Sequence, residues 1–346
     1  MPPNPSPIAE GERLLTICNA CRYCEGFCAV FPAMERRLNF TEADLNYLAN
    51  LCHNCAECYY ACQYAPPHEF AVNVPKALAE IREQSYREYA WPRALRIGAW
   101  WALAIGLIVA ILLARGRSAL NADFYAVISH RAMVATFGIA AAFILTAHIA
   151  GLVRFWRQCG ERLRASALGK ALSDILTLTN LSSGGAGCTY PDQRHSPARR
   201  RFHHFTFYGF LLCFASTTTA AVYHYVLGLR APYGYASLPV ALGTLGGLGL
   251  LIGPTGLYAL KRRRDPAIAD AKQDPMDVSF LALLFFTSLT GLLLLVLRET
   301  PVMGWLLAIH LGVVLGLFLT LPYGKFVHGI YRSAALVRSA LEAARR

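Results

Sequence analysis

Charge is scarce in this chain. Only 16% of its 346 residues are Asp, Glu, Lys or Arg, while 55% are hydrophobic. An ordinary soluble enzyme carries about a quarter of its residues as charged ones, so that class is excluded. Acidic residues are the scarcer kind, 21 against 33 basic ones. None falls in the central part of a long apolar run, and no internal repeat is visible, which argues against a transporter. No glycine-rich dinucleotide fingerprint follows a strand pattern, so a nucleotide-dependent dehydrogenase would have to be another chain. No signal-peptide pattern precedes Cys18, which argues against an exported disulfide scaffold. Cysteine pairs separated by a long loop, the usual zinc arrangement, are also missing. After His328 only a short basic stretch follows, with no output domain for a sensor.

What is present is concentrated. Eight of the eleven cysteines fall in two runs, CNACRYCEGFC (Cys18, Cys21, Cys24, Cys28) and CHNCAECYYAC (Cys52, Cys55, Cys58, Cys62). Each reads C-x2-C-x2-C-x3-C, the spacing of two-cluster ferredoxins, in which the fourth cysteine of one run serves the other cluster. The spacing therefore predicts one [4Fe-4S] cluster on Cys18, Cys21, Cys24 and Cys62. A second is expected on Cys52, Cys55, Cys58 and Cys28. The proline that usually follows the fourth cysteine is replaced by Ala29 and Gln63. Between the runs, Thr41 and Asp44 form a capping box before Leu45, Leu48 and Leu51 at helical spacing, which predicts an α-helical ferredoxin-type module. Residues 1–17 read as a flexible entry, and Val74–Tyr89 as a charged helix leading to the membrane. Trp91, Trp100 and Trp101 stand where interfacial anchors belong. Cys159 and Cys213 have no partner at metal-binding spacing, and Cys188 reads as a lone packed or exposed thiol.

Six long apolar runs follow, at about 97–114, 130–152, 205–227, 238–260, 278–297 and 302–323, each near the ~20 residues that span a bilayer. Of the 33 Lys and Arg, 28 lie in segments 1–96, 154–202, 261–277 and 325–346. Arg115, Arg117, Arg131, Arg230 and Arg298 lie near the opposite ends. The bias predicts a multi-pass protein of the cytoplasmic (inner) membrane with both termini in the cytoplasm. The net charge of +12 then reports topology and lipid-bilayer contact, with no nucleic-acid surface. The expected organisation is all-α: a cytoplasmic cluster domain over 1–90, a six-span membrane domain over 91–332 with a cytoplasmic loop 154–202, and a basic tail over 333–346. Within the loop, ALSDILTLTNL predicts a short helix. Glycines 184, 185 and 187 make a turn that lacks the Lys-Ser/Thr of a phosphate loop.

Ionisable residues in spans are functional candidates, and here they are histidines. His310 and His328 are 18 residues apart, which on one straight helix is five turns, a shared face and a separation of ~27 Å. His130 and His148 repeat that spacing on the second run. His203 and His204 sit at the inner end of the third run and His224 at its outer end. Histidines facing each other across neighbouring helices can hold haem by both axial positions. By depth, His310 can meet His224 or His130, and His328 can meet His203, His204 or His148. One or two haem b groups are expected.

The two cysteine runs, together with FYAVISHRAMV (124–134), GGAGCTYP (184–191), RRFHHFTFYGFLLCF (200–214), VYHY (222–225) and LAIHLGVVLGLFLTLPYGKFVHGIYR (307–332), resemble the tricarballylate-utilisation protein B (CitB protein) family over nearly the whole length. The spacing of His310 and His328 is also similar to the haem-binding helix of the membrane subunit of respiratory nitrate reductases. The family resemblance implies two [4Fe-4S] clusters, haem b and a separate FAD-dependent tricarballylate dehydrogenase. Its reduced flavin would be reoxidised here and the electrons passed to the quinone pool. The alternative is an electron-transfer subunit for another dehydrogenase or a heterodisulfide-type reductase, or a membrane redox sensor.

Overall fold

The structure is a computed structural model, and it describes residues 5–93, 98–114, 123–183, 185, 187–189 and 193–345. Arg115, Arg117 and Gly184 lie outside the described residues. The described chain is all-α. Its single β-type feature among those residues is an isolated antiparallel bridge between Cys188 and Ser196.

Five helices build the cluster domain: α1 (Pro7–Cys21), α2 (Val30–Met34), α3 (Glu42–Leu51), α4 (Glu57–Tyr60) and α5 (Val74–Tyr89). Residues 7–17 are not the flexible entry that proline-rich composition suggests. Ser6 caps α1 through a hydrogen bond to the Ala9 amide, and Leu14 and Leu15 are buried beneath it. Helix α3 has the predicted reciprocal capping box of Thr41 and Asp44, with Leu45, Leu48 and Leu51 buried.

The membrane part contains α6 (Ala99–Leu113), a short α7 (Phe124–Val127), α8 (His130–Cys159), α9 (Ala165–Thr177), α10 (Ala198–Tyr225), α11 (Leu238–Arg262), α12 (Asp274–Leu297), α13 (Met303–Thr320) and α14 (Val327–Ala343). Five of these (α8, α10, α11, α12 with its entry turn, and α13) are long and apolar enough to cross a bilayer. The sixth apolar helix, α6, is shorter. Helix α6 lies against α13 at very close range. A Cβ built on Gly106 would stand 2.2 Å from the Gly312 carbonyl oxygen and 2.7 Å from the Gly316 amide nitrogen. Only small residues let two backbones approach so closely, and Gly312 and Gly316 are four apart, as in small-xxx-small packing.

The largest departure from expectation is at residues 321–326. The run at 302–323 does not continue as one helix to His328. Helix α13 ends at Thr320, the chain turns through Leu321–Phe326, and α14 starts afresh. Pro322 cannot supply the amide that a continuous helix would place on the Phe318 carbonyl, and the Leu321 amide takes that carbonyl at 3.1 Å in a tighter turn. His310 and His328 therefore sit on separate helices, and the five-turn spacing does not apply.

Residues 333–346 likewise do not form a basic tail, since α14 covers most of them. It packs on α3, α8 and α9. Tyr331, Tyr89 and Phe155 stack in one aromatic group with ring centres 5.4–5.6 Å apart, joining α14, α5 and α8. Further along, Glu342 accepts from Arg37 at 2.5 Å and from Arg338 at 3.1 Å, and Tyr47 donates to it at 3.3 Å. Asp44 joins the same network through Arg37 at 2.6 Å. Burial alone would push the Asp44 carboxyl up, but the hydrogen bonds from Arg37 and Thr41 outweigh it and hold the group low. Its contribution is therefore present above the usual carboxylate range and lost on acidification.

Removing one partner of a buried ion pair strands the others, at a cost of about 3–5 kcal/mol. Glu342→Ala should accordingly lower the stability of the detergent-solubilised protein by about 3 kcal/mol, read as a clear fall in denaturation midpoint. A variant that melts like the parent would show that the network contributes nothing.

Candidate metal centres

The cysteines come together as two crossed sets. Cys18 and Cys21 ride on the last turn of α1, which ends at Arg22 in a left-handed conformation, φ 55°. Cys24 follows in the turn, and Cys62 arrives just after α4. These four, with Cys58, line a cavity of about 230 Å³ whose walls include Ile17, Phe31, Val72 and Val74. Burial pushes the Cys18 thiol up to about 12, and the neighbouring thiols of Cys62, Cys24 and Cys21 add to it.

The other set is deeper. Burial pushes Cys28 well up, followed by Cys55 and Cys52 as electrostatic neighbours. Cys58 is raised in the same way, by burial and then by Cys55, Cys28 and Cys52. Asn54 and Ala56 lie in the left-handed region, φ 53° and 69°. That bend folds the second run back on itself and turns the Asn54 amide onto Cys52 Sγ at 3.3 Å. Crowded, buried thiols give up their protons poorly on their own, and a metal that takes the proton's place removes the conflict. Among the described residues, no three His, Cys, Asp or Glu side chains close on one point as ligands of a single ion. Each set gathers four thiols, the donor set of an iron–sulfur cluster.

Ser183, Cys188 and Thr189 lie against the deeper set. The Ser183 hydroxyl donates to the Phe27 carbonyl at 3.2 Å and stands 4.0 Å from Cys55 Sγ. Thr189 donates to the Cys55 carbonyl at 3.4 Å, and His195 meets Glu57 at 2.8 Å. Cys188 is buried beside Cys55, with its thiol on the Leu181 carbonyl at 2.9 Å. It is a packed thiol, and its neighbours Ser183 and Thr189 reach the deeper cysteine set.

Beneath that site lie the inner histidines. His203 on α10 and His328 on α14 have ring centres 6.0 Å apart. Two imidazoles on opposite sides of one metal would stand about 6 Å apart, given ~2 Å metal–nitrogen bonds. His328 Nδ1 bonds the Lys325 carbonyl at 2.6 Å, which turns Nε2 outward. His203 Nδ1 is buried without a partner. A ring held by one nitrogen to a backbone carbonyl, with the other nitrogen presented, is how metal-binding histidines are oriented.

The remaining candidates differ. His130 and His224 stack at 4.2 Å with ring planes 26° apart, which leaves no room for iron between them. His310 bonds Thr290 of α12 at 3.0 Å, His148 meets the Leu321 carbonyl at 3.3 Å, and His204 meets the Thr177 carbonyl at 3.1 Å. His53 went unremarked in the sequence, hidden among the cysteines of the second run. It is 6% exposed, and burial followed by Arg332 and Arg199 holds its imidazole well below the ordinary range, with His203 also close. It thus stands between the deeper cysteine set and the inner histidine pair.

Residues 11–88 match the family described as "Citrate utilization protein B Fer4-like domain", and residues 94–346 match "Citrate utilization protein B". A curated Escherichia coli protein, "Citrate utilization protein B", is 52% identical over 353 residues, spanning 97% of this chain and 93% of its own length. No solved structure shows a significant match. The chain, an all-α protein with a Fer4-like domain ahead of a set of apolar helices, belongs to the citrate utilization protein B family.

Proposed function

We propose that this chain is a membrane electron carrier. It accepts electrons from the reduced flavin of a separate FAD-dependent dehydrogenase and delivers them to a membrane quinone. By the family resemblance and the name of the Escherichia coli relative, that dehydrogenase serves tricarboxylate utilisation, with tricarballylate as its substrate. Two [4Fe-4S] clusters and haem b supply one-electron chemistry, and the protein contributes their positions and surroundings. Cys18, Cys21, Cys24 and Cys62 hold the outer cluster. Cys28, Cys52, Cys55 and Cys58 hold the inner one, and His203 and His328 hold one haem b.

The observation that carries this reading is the order of the sites. The Cys18 set lines a cavity, Cys58 neighbours both Cys24 and the deeper Cys28, Cys52 and Cys55, and His53, next to Cys52, has His203 close by, which in turn faces His328. The stacked His130 and His224, and His310, His148 and His204, for which no facing imidazole is seen among the described ring contacts, are given no haem in this scheme.

Arg37 on the cluster-domain side and Glu342 on α14 are ion-paired, which supports both ends of the chain lying on one side of the bilayer. Five long helices cannot achieve that, so α6 is taken as the sixth crossing. At 1.5 Å per residue it is only about 22 Å long, and the bilayer thins or the flanking residues complete it. The Lys and Arg bias puts that shared side in the cytoplasm.

Anoxically purified protein should contain about eight iron and eight sulfide per chain for the clusters, plus one haem b iron. Stoichiometric zinc with neither sulfide nor haem would sink the proposal.

A further inference from the structure

The loop that carries Cys52 is gripped by cations from both halves of the protein. Arg82 of α5 is 4% exposed and donates to the carbonyls of Ala49 at 3.1 Å and Cys52 at 2.7 Å. Arg332 of α14 donates to the same Cys52 carbonyl at 2.6 Å and to the Asn50 carbonyl at 3.3 Å. Arg199 of α10 adds bonds to the carbonyls of His53 at 2.8 Å and Asn54 at 2.7 Å. Two guanidiniums thus converge on one carbonyl oxygen. Among the described residues neither Arg82 nor Arg332 makes an ion pair with a carboxylate. Taking unpaired cations out of water costs several kcal/mol each, and that cost needs an anion nearby to offset it.

The site beside them supplies one, on the reading that four cysteines there hold an iron–sulfur cluster. Four thiolates outweigh the positive charge of the cubane core, so the assembled site is a net anion, and reduction adds one more negative charge. Fixed cations beside it favour the reduced form, and net charge and solvent exposure are the main levers on the potential of such clusters. Among the described residues, no buried arginine grips the Cys18 set in this way. The nearest comparable contact there is Arg22 on the Asn19 carbonyl at 3.0 Å, on an exposed residue.

We infer that Arg82 and Arg332 set the potential of the cluster on Cys28, Cys52, Cys55 and Cys58 above that of the cluster on Cys18, Cys21, Cys24 and Cys62. One electron from the flavin, arriving at the outer cluster, then moves inward downhill. Both arginines are positioning residues, since they touch the cluster loop and not the substrate. Arg332 comes from α14, so the membrane half of the chain sets the potential of a site in the soluble half.

The test is a redox titration of the purified holoprotein, poised with dithionite and followed by low-temperature EPR. Arg332→Gln and Arg82→Gln should each lower one of the two cluster midpoints and leave the other in place. At the parent's midpoint the reduced-to-oxidised ratio should fall about tenfold, a shift of about 59 mV for one electron. Arg332→Lys, which keeps the charge and loses the fork, should recover most of the shift. The inference is overturned if both glutamine variants, with full iron and sulfide, titrate like the parent, or if both midpoints move together. Should one variant fail to assemble, the other and Arg332→Lys decide. A parent protein with no cluster signal would instead sink the underlying assignment, an outcome that iron and sulfide analysis separates from the first.

Discussion

Cys28→Ser should cost the chain the cluster built from the other cysteine run. Cys28 lies with Cys52, Cys55 and Cys58, so its loss should leave about four cluster irons in place of about eight. The survivor should be the cluster on Cys18, Cys21, Cys24 and Cys62. Pairing substitutions makes the test sharp. Two changes in one set, such as Cys18→Ser with Cys62→Ser, should remove no more iron than either alone. Two changes in different sets, such as Cys18→Ser with Cys28→Ser, should remove nearly all of it. The uncrossed alternative reverses these outcomes, because Cys18 and Cys28 would then share a cluster. Non-additivity within a set follows from shared ligation, just as mutations with no shared partner add. Cluster loss in either set should also break electron flow to quinone by at least a hundredfold, measured as reoxidation of reduced flavoprotein in membranes.

His203→Ala and His328→Ala should have matching effects. Each removes one of two imidazoles whose ring centres are 6.0 Å apart, leaving an iron one ligand short in a pocket that supplies no replacement. Haem content should fall to a small fraction of the parent's, or the spectrum should turn high-spin. Quinone reduction should drop on the order of a hundredfold, at least the loss seen when a partner behind a metal ligand is removed. His310→Ala, His204→Ala and His148→Ala should leave the spectrum intact. The measurement is the reduced-minus-oxidised spectrum in membranes with haem per protein. Low-spin haem retained in both His203→Ala and His328→Ala would dismiss this pair.

How much of this was legible in the residues depends on the range over which each signal acts. The cysteine runs declare themselves because ligand spacing is local and fixed by cluster geometry. The capping box at Thr41–Asp44 and the helix Val74–Tyr89 were equally plain, since both rest on contacts within one turn. The apolar runs marked the long helices by composition. Three features escaped. The break between Thr320 and Val327 was foreshadowed by Pro322 and Gly324, but hydrophobicity runs straight across it. His53 was masked by its cysteine neighbours, and its importance comes from Arg332 and Arg199, far away in the chain. Helix α14 looked like a tail because its charges are buried only by meeting Arg37, Asp44 and Tyr47 some three hundred residues earlier. A sequence shows a charge, and only the fold shows its partner.

The pairing of α14 with the cluster domain also dictates an order of assembly. During synthesis the cluster domain emerges first and the membrane helices follow, while α14 leaves the ribosome after all of them. At about 5–20 residues per second, the interval is on the order of ten to fifty seconds. Until α14 arrives, the surface around Arg37 and Tyr47 lacks its partner Glu342, and Arg332 is not yet on the Cys52 carbonyl. Because α14 follows the other membrane helices in sequence, its contacts with Arg37, Tyr47 and the Cys52 loop are among the last of these to form.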